Sequence, residues 1–283
     1  MTRAVLLLLV VTLSGCPSLG TLFTDRDDLV IDYDLAYIDD DTNAHRLDLY
    51  SPRDAAKDAP VVVFIHGGYW AEQDKQYFET ATGLYGNVGV AFARHGVRVA
   101  NCNYRLHPEA QLHGMLDDVA AATAFVRGLF PAAPIVLMGH SAGAHLASAA
   151  VLLDDGPHVD VDGLALVSGV YDIARAVEFD SVENREKYLF PLFGRTAEEQ
   201  ATASTLPALL TTTTPTLVAT GTRDLRGVEA DFRALRDARG DDGVFEFVEV
   251  DGADHADTAL QFGGEDDRVT DEVVALFEGL GVF

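Results

Sequence analysis

Apolar and polar positions alternate near the start of the chain and stop alternating after residue 60. Residues 45–50 place Leu47 and Leu49 against Arg46 and Asp48, and residues 30–39 alternate more weakly, with Ile31, Tyr33, Leu35 and Tyr37 on one side. A period of two predicts strands, and with the charged turn at 52–60 these segments predict an antiparallel opening pair. Val61-Val62-Val63-Phe64-Ile65 is apolar throughout, as a strand covered on both faces must be. Further strands are predicted at 97–102, 135–138, 164–167, 216–220 and 244–250. Helices are predicted at 77–95, 114–130, 142–153, 228–239 and 269–280. Gly83, Gly86 and Gly89 weaken the first helix, and Leu116, Val119, Ala120, Ala124 and Val126 form the sheet-facing side of the second. Strands alternating with helices predict an α/β fold with a mostly parallel central sheet and helices on both faces. Between the sixth and seventh strands, residues 170–214 contain no strand but do contain Tyr188-Leu189-Phe190-Pro191-Leu192-Phe193. So long and aromatic a connection predicts a small helical cap over the active edge of the sheet.

Composition narrows the partners. At 283 residues and 48% hydrophobic, the chain suits one large α/β domain with a sizeable core. Its net charge of −25, from 45 acidic against 20 basic residues, repels nucleic acid and anionic membrane surfaces and leaves a small molecule as the expected partner. The lysines are Lys57, Lys75 and Lys187, and the cysteines Cys16 and Cys102. No Cys/His pair has ligand spacing, so neither a metal nor a cofactor is expected.

The leader changes the expected location. Arg3 precedes an apolar run at 4–13 and then Leu13-Ser14-Gly15-Cys16. The run is too short to cross a bilayer as a helix, which takes about 20 residues. Leu-Ser-Gly-Cys resembles the lipobox of bacterial lipoproteins. That resemblance implies a signal peptide at 1–15, lipidation of Cys16, a tether at 16–28 and a folded domain at 29–283. It also implies export, with anchoring to the bacterial cell envelope through the lipid alone. A conventional secretory signal and a buried N-terminal helix are the rival readings.

The candidate chemistry centres on Gly139-His140-Ser141-Ala142-Gly143, between a predicted strand and a predicted helix. A serine at such a bend takes a strained conformation that exposes its hydroxyl, and small residues two before and two after make the bend possible. Serine needs a base, a group to orient that base, and donors for the oxyanion. His255 lies on the loop after the last strand and is the candidate base. Asp224, in Gly221-Thr222-Arg223-Asp224 after the preceding strand, is the candidate orienting acid. Asp254 and Asp257 are read as loop acids, Glu229 and Asp231 as solvent-facing helix residues, and His145 as packing. The oxyanion donors are expected from the turn His66-Gly67-Gly68-Tyr69-Trp70 and from the N–H of Ala142 at a helix N-terminus. His66 is read as holding that turn and Trp70 as anchoring it.

His66-Gly-Gly-Tyr-Trp70, Asn103-Tyr104-Arg105-Leu106, Gly139-His-Ser-Ala-Gly-Ala-His145, Ser168-Gly-Val-Tyr-Asp-Ile173 and Gly221-Thr-Arg-Asp224 together resemble the α/β-hydrolase superfamily. More narrowly, they look like the esterases related to kynurenine formamidase and the hormone-sensitive-lipase group. The resemblance spans about residues 30–280. It implies the α/β-hydrolase fold, a triad of Ser141, Asp224 and His255, and backbone oxyanion donors at Gly67, Gly68, Tyr69 and Ala142. The donor motif ends in Gly-Tyr-Trp and not Gly-Gly, and Leu106-His107-Pro108-Glu109 keeps only part of the lipase subgroup's pattern. The expected activity is serine hydrolysis of carboxylic esters through an acyl-enzyme. The alternatives are arylformamidase activity on an N-formylkynurenine-type amide and a non-catalytic, lipid-anchored binding protein.

Overall fold

A computed structural model describes residues 28–77, 83–240, 242–265 and 267–281. The signal peptide, Cys16 and nearly all of the tether lie outside the described residues, as do positions 78–82 of the first predicted helix. Eight strands form one sheet: β1 (Leu29–Ala36), β2 (Arg46–Pro52), β3 (Val61–Ile65), β4 (Arg98–Cys102), β5 (Ile135–His140), β6 (Gly163–Val167), β7 (Thr216–Gly221) and β8 (Phe245–Val250). Their order is β1-β2-β4-β3-β5-β6-β7-β8. β2 is antiparallel to both β1 and β4, and all other pairings are parallel.

The apolar run in β3 divides between two cores. Val61, Val63 and Ile65 pack with α2 (Leu112–Leu129) and α3 (Ala142–Leu152), whereas Val62 and Phe64 pack with α1 (Gly86–Ala93) and the C-terminal helix Arg268–Gly279. Each of β3 to β7 is buried along its whole length. The edge strands differ. β8 turns Glu246 and Glu249 to solvent, and β1 exposes Asp32 and Asp34, charges that guard a sheet edge against pairing with another chain.

Two details depart from the expected pattern. The β1–β2 register shifts between Asp32 and Leu35, so Tyr33 faces outward. In α2 the buried side includes Met115, Ala122 and Thr123, while Ala124 faces solvent. Lys75 is buried: its ammonium sits 2.6 Å from Asp48 Oδ1 on β2 and 2.8 Å from Asp34 Oδ1. With both partners carboxylates, the charge is compensated inside the protein.

The 170–214 insertion is helical. It contains α4 (Ile173–Phe179), a run of short helical turns (Val182–Asn184, Arg185–Leu189, Phe190–Phe193), and α5 (Ala197–Ala203). Local signals account for its helix starts. Asp172 caps α4, and Thr196 and Glu199 form a reciprocal capping box at α5, satisfying N–H groups that a helix start leaves free. After β7 the chain forms α6 (Arg226–Arg239).

Candidate active site

β5 ends at the bend. Ser141 has φ 56° and ψ −120°, a conformation that costs an L-residue energy and persists only where the surroundings enforce it. The enforcement is steric. A Cβ at Gly139 would lie 2.2 Å from the Gly143 carbonyl oxygen, and one at Gly143 would lie 2.1 Å from that of Ile65. Only glycine at both positions lets α3 start this close to β3 and β5.

Three strand ends converge on Ser141. His255, on the loop after β8, brings Nε2 to 2.8 Å from Ser141 Oγ. Its Nδ1 lies 2.7 Å from Asp224 Oδ1, after β7. Asp224 is otherwise enclosed. Its Oδ1 accepts from the Leu225 N–H, and its Oδ2 from Ser168 Oγ (2.5 Å), Thr220 Oγ1 (3.1 Å) and the Gly221 N–H (3.3 Å). Burial alone would raise its pKa. The His255 hydrogen bond and charge and these donors outweigh that and hold it at about 2, so Asp224 is ionised at neutral pH. An ionised carboxylate on Nδ1 requires Nδ1–H, leaving Nε2 as the acceptor facing the serine hydroxyl.

Residues not singled out from the sequence steady this arrangement. Thr258 Oγ1 lies 2.8 Å from Ser168 Oγ and donates to the His255 carbonyl at 2.9 Å, and His140 Nε2 lies 3.0 Å from that carbonyl. Burial pushes His140 down to about 3, so it stays neutral. The Ser168-Gly-Val-Tyr-Asp motif was visible in the sequence, but the partner of its serine was not.

The donor turn needs one correction. The Gly67 N–H donates to Tyr85 Oη at 3.0 Å and is not open to a substrate. Among the described residues no group accepts from the N–H of Gly68, Tyr69 or Ala142. His66 is buried and neutral, lowered to about 4 by burial, with Nδ1 2.8 Å from the Gly67 carbonyl and its ring stacked on Tyr104. Trp70 donates through Nε1 to His145 Nδ1 at 3.2 Å, and His145 Nε2 donates to the Ala203 carbonyl at 2.7 Å. Asp254 and Asp257 act as loop acids, accepting backbone N–H groups of their own turn.

Ser141 opens onto a cavity of about 320 Å³ whose apolar lining includes Val170, Ala176, Phe179, Leu189, Leu225 and Val228. Asp231 also lines it and is buried, contrary to its solvent-facing expectation. It accepts the N–H groups of Tyr171 (2.7 Å) and Asp172 (2.9 Å) and pairs with Arg175. Burial still pushes its carboxyl up to about 6 from the ordinary 3.8. The folded state therefore binds this proton more tightly than the unfolded chain does. The group's contribution to stability falls as pH rises from about 4 through about 6, by roughly 3 kcal/mol. Asp231→Asn is expected to flatten that slope. Urea unfolding at pH 4.5 and pH 7 checks it, and an unchanged difference between the two would rule Asp231 out as its source.

A model of the BD-FAE family matches residues 47–226, well over half of the chain. The chain belongs to the BD-FAE family. The matched stretch of this BD-FAE chain includes Ser141 and Asp224. His255 lies beyond it and is placed by the geometry. The kynurenine formamidase of Danio rerio is 32% identical over 138 residues, 47% of this chain and 44% of that protein. A probable isoprenylcysteine alpha-carbonyl methylesterase of Oryza sativa subsp. japonica is 38% identical over 117 residues, 40% of this chain and 27% of that protein. The matches thus span less than half the length of these curated relatives. Esterase B from Lactobacillus rhamnosis, in its tributyrin phosphonate-inhibited structure, superposes with a TM-score of 0.74 at 20% identity, covering 90% of this chain and 86% of that one. At that identity the likeness shows the shared α/β-hydrolase fold.

Proposed function

We propose that this BD-FAE protein is a serine hydrolase that cleaves carboxylic esters through an acyl-enzyme. The observation that carries the reading is the unbroken chain from Asp224 through His255 to Ser141, at 2.7 and 2.8 Å, ending at the mouth of a mainly apolar cavity. Ser141 Oγ attacks the ester carbonyl while His255 Nε2 takes its proton. The Nδ1–H bond to ionised Asp224 stabilises the imidazolium that results. The N–H groups of Gly68, Tyr69 and Ala142 surround the oxyanion, each such donor typically contributing about 3 kcal/mol to lowering the barrier. His255 then returns the proton to the leaving alcohol, and water cleaves the acyl-enzyme by the same route in reverse.

Formamide hydrolysis uses the same steps on a different carbonyl, and likeness to a kynurenine formamidase favours it as the second reading. A fluorophosphonate probe tests both together. The expected result is a single adduct on the peptide carrying Ser141, absent from Ser141→Ala. A folded protein that stays unlabelled would overturn the hydrolase reading and favour a binding protein. Parallel hydrolysis of p-nitrophenyl esters of increasing acyl length, acetylated sugars and N-formylkynurenine separates ester from formamide preference. We also propose that Cys16 is lipidated and tethers the enzyme to the cell envelope. Intact mass is expected to show a diacylglycerol-bearing N-terminus at Cys16, and an unmodified N-terminus upstream of it would exclude this.

A further inference from the structure

The cap lines the cavity through Val170, Ala176 and Phe179 near its start, and the aromatic run that follows behaves differently. In that run Leu189 lines the cavity, but Tyr188, Phe190 and Phe193 do not. Tyr188 is stacked on Tyr69 of the donor turn, with ring centroids 4.7 Å apart and planes at 26°. Its hydroxyl donates to Glu72 at 2.5 Å, and Lys187 reaches the same carboxylate oxygen at 3.0 Å. Asn184 Nδ2 donates to the Tyr69 hydroxyl at 3.1 Å. Phe193 packs edge-on against Trp70 at 4.8 Å, and the Ala203 carbonyl, at the end of α5, fixes His145 so that its Nδ1 accepts from Trp70. Every one of these contacts reaches the segment 69–72 or the histidine that holds it.

That segment needs holding. Gly68, Tyr69 and Trp70 are three consecutive residues at positive φ (108°, 52° and 58°), and the last two carry side chains that disfavour this backbone region. Such a conformation lasts only when its surroundings over-determine it. A turn free to relax would reorient the N–H groups of Gly68 and Tyr69.

We infer that the cap is a clamp on the oxyanion turn, with Tyr188 its central positioning residue: the Tyr188–Tyr69 stack and the Tyr188–Glu72 bond hold the left-handed turn that carries the N–H groups of Gly68 and Tyr69. This rests on the serine-hydrolase reading, because the oxyanion belongs to that mechanism. It assigns the cap a task that does not depend on substrate size.

The test is steady-state kinetics of Tyr188→Ala on p-nitrophenyl acetate and p-nitrophenyl octanoate, with active sites counted by phosphonate titration so that misfolded protein is excluded. The expected result is a fall in kcat of about 10- to 100-fold on both esters, with KM within about twofold of the parent. Tyr188→Phe, which keeps the ring stack, is expected to recover most of the loss. Phe190→Ala alters the same cap run at a ring that packs under Arg195 and is expected to leave kcat unchanged. A loss confined to the octanoate would make the cap a substrate wall, and an unchanged kcat per titrated site would make it a cover. Either result overturns the clamp. A parent protein inert to phosphonate would instead bring down the hydrolase reading, and the clamp with it.

Discussion

Asp224→Asn is expected to lower kcat about 10⁴-fold while leaving KM and folding nearly unchanged. The arrangement of donors dictates how. Oδ2 receives three hydrogen bonds, from Ser168, Thr220 and the Gly221 N–H. With the amide oxygen on that side the variant keeps all three of these bonds, including the one from the Gly221 N–H, which can only donate. The NH₂ is then turned toward the Leu225 N–H and His255 Nδ1. It forces Nδ1 to accept, moves the imidazole proton to Nε2, and leaves Ser141 opposite a donor that cannot take its proton. The imidazolium also loses its counter-charge. Steady-state kinetics, with circular dichroism to verify the fold, check this outcome. A loss below about tenfold would mean that His255 is oriented by something other than Asp224.

Gly143→Ala is expected to prevent the native fold or to destabilise it by more than about 4 kcal/mol, a range reserved for changes that the structure cannot absorb. The added methyl would sit 2.1 Å from the Ile65 carbonyl oxygen and 2.5 Å from that of His66. Both are backbone atoms of β3 or the turn that follows it, so neither can rotate away. Relief would require α3 to withdraw from the sheet, parting Ser141 from His255. Gly128→Ala is the matched control. It lies in α2 with nothing within 4 Å of the added Cβ, and should stabilise the protein by about 0.5–1 kcal/mol through helix propensity. Urea titration of both variants beside the parent measures the contrast. A Gly143→Ala protein as stable as the parent would contradict the packing at this bend.

The readable parts of the chain were those governed by near neighbours. The strands announce themselves because a strand buried on both faces has no room for polar positions. Ser141, Asp224 and His255 could be proposed because each follows a predicted strand in a fixed order. What could not be read depends on partners far along the chain. The N–H of Gly67 is spent on Tyr85, and nothing at Gly67 signals it. Asp231 looks like one more charge on an acidic helix, and turns inward because the segment entering α4 presents two N–H groups to it. Ala124 and Ala122 are interchangeable to a hydrophobic pattern, since alanine fits either side of a helix, so the phase of α2 blurred there. Tyr33 followed its alternation until the register shift next to Asp34, whose φ is 55°, turned it over. Tyr188 reads only as one aromatic residue of the cap, because its stacking partner Tyr69 lies far along the chain.

The Lys187–Glu72 pair has a practical consequence. Being exposed on both sides, it adds little to stability. It nevertheless places a primary amine 3.0 Å from a carboxylate oxygen, one on the cap and the other on the turn beneath. A carbodiimide, which activates a carboxylate for attack by a neighbouring amine, could join them through an amide with no spacer. Of the other lysines, Lys75 is buried and Lys57 sits on a distant loop before β3. The protein thus carries its own attachment point for a covalent staple, one that would lock cap and turn together without any engineered residue.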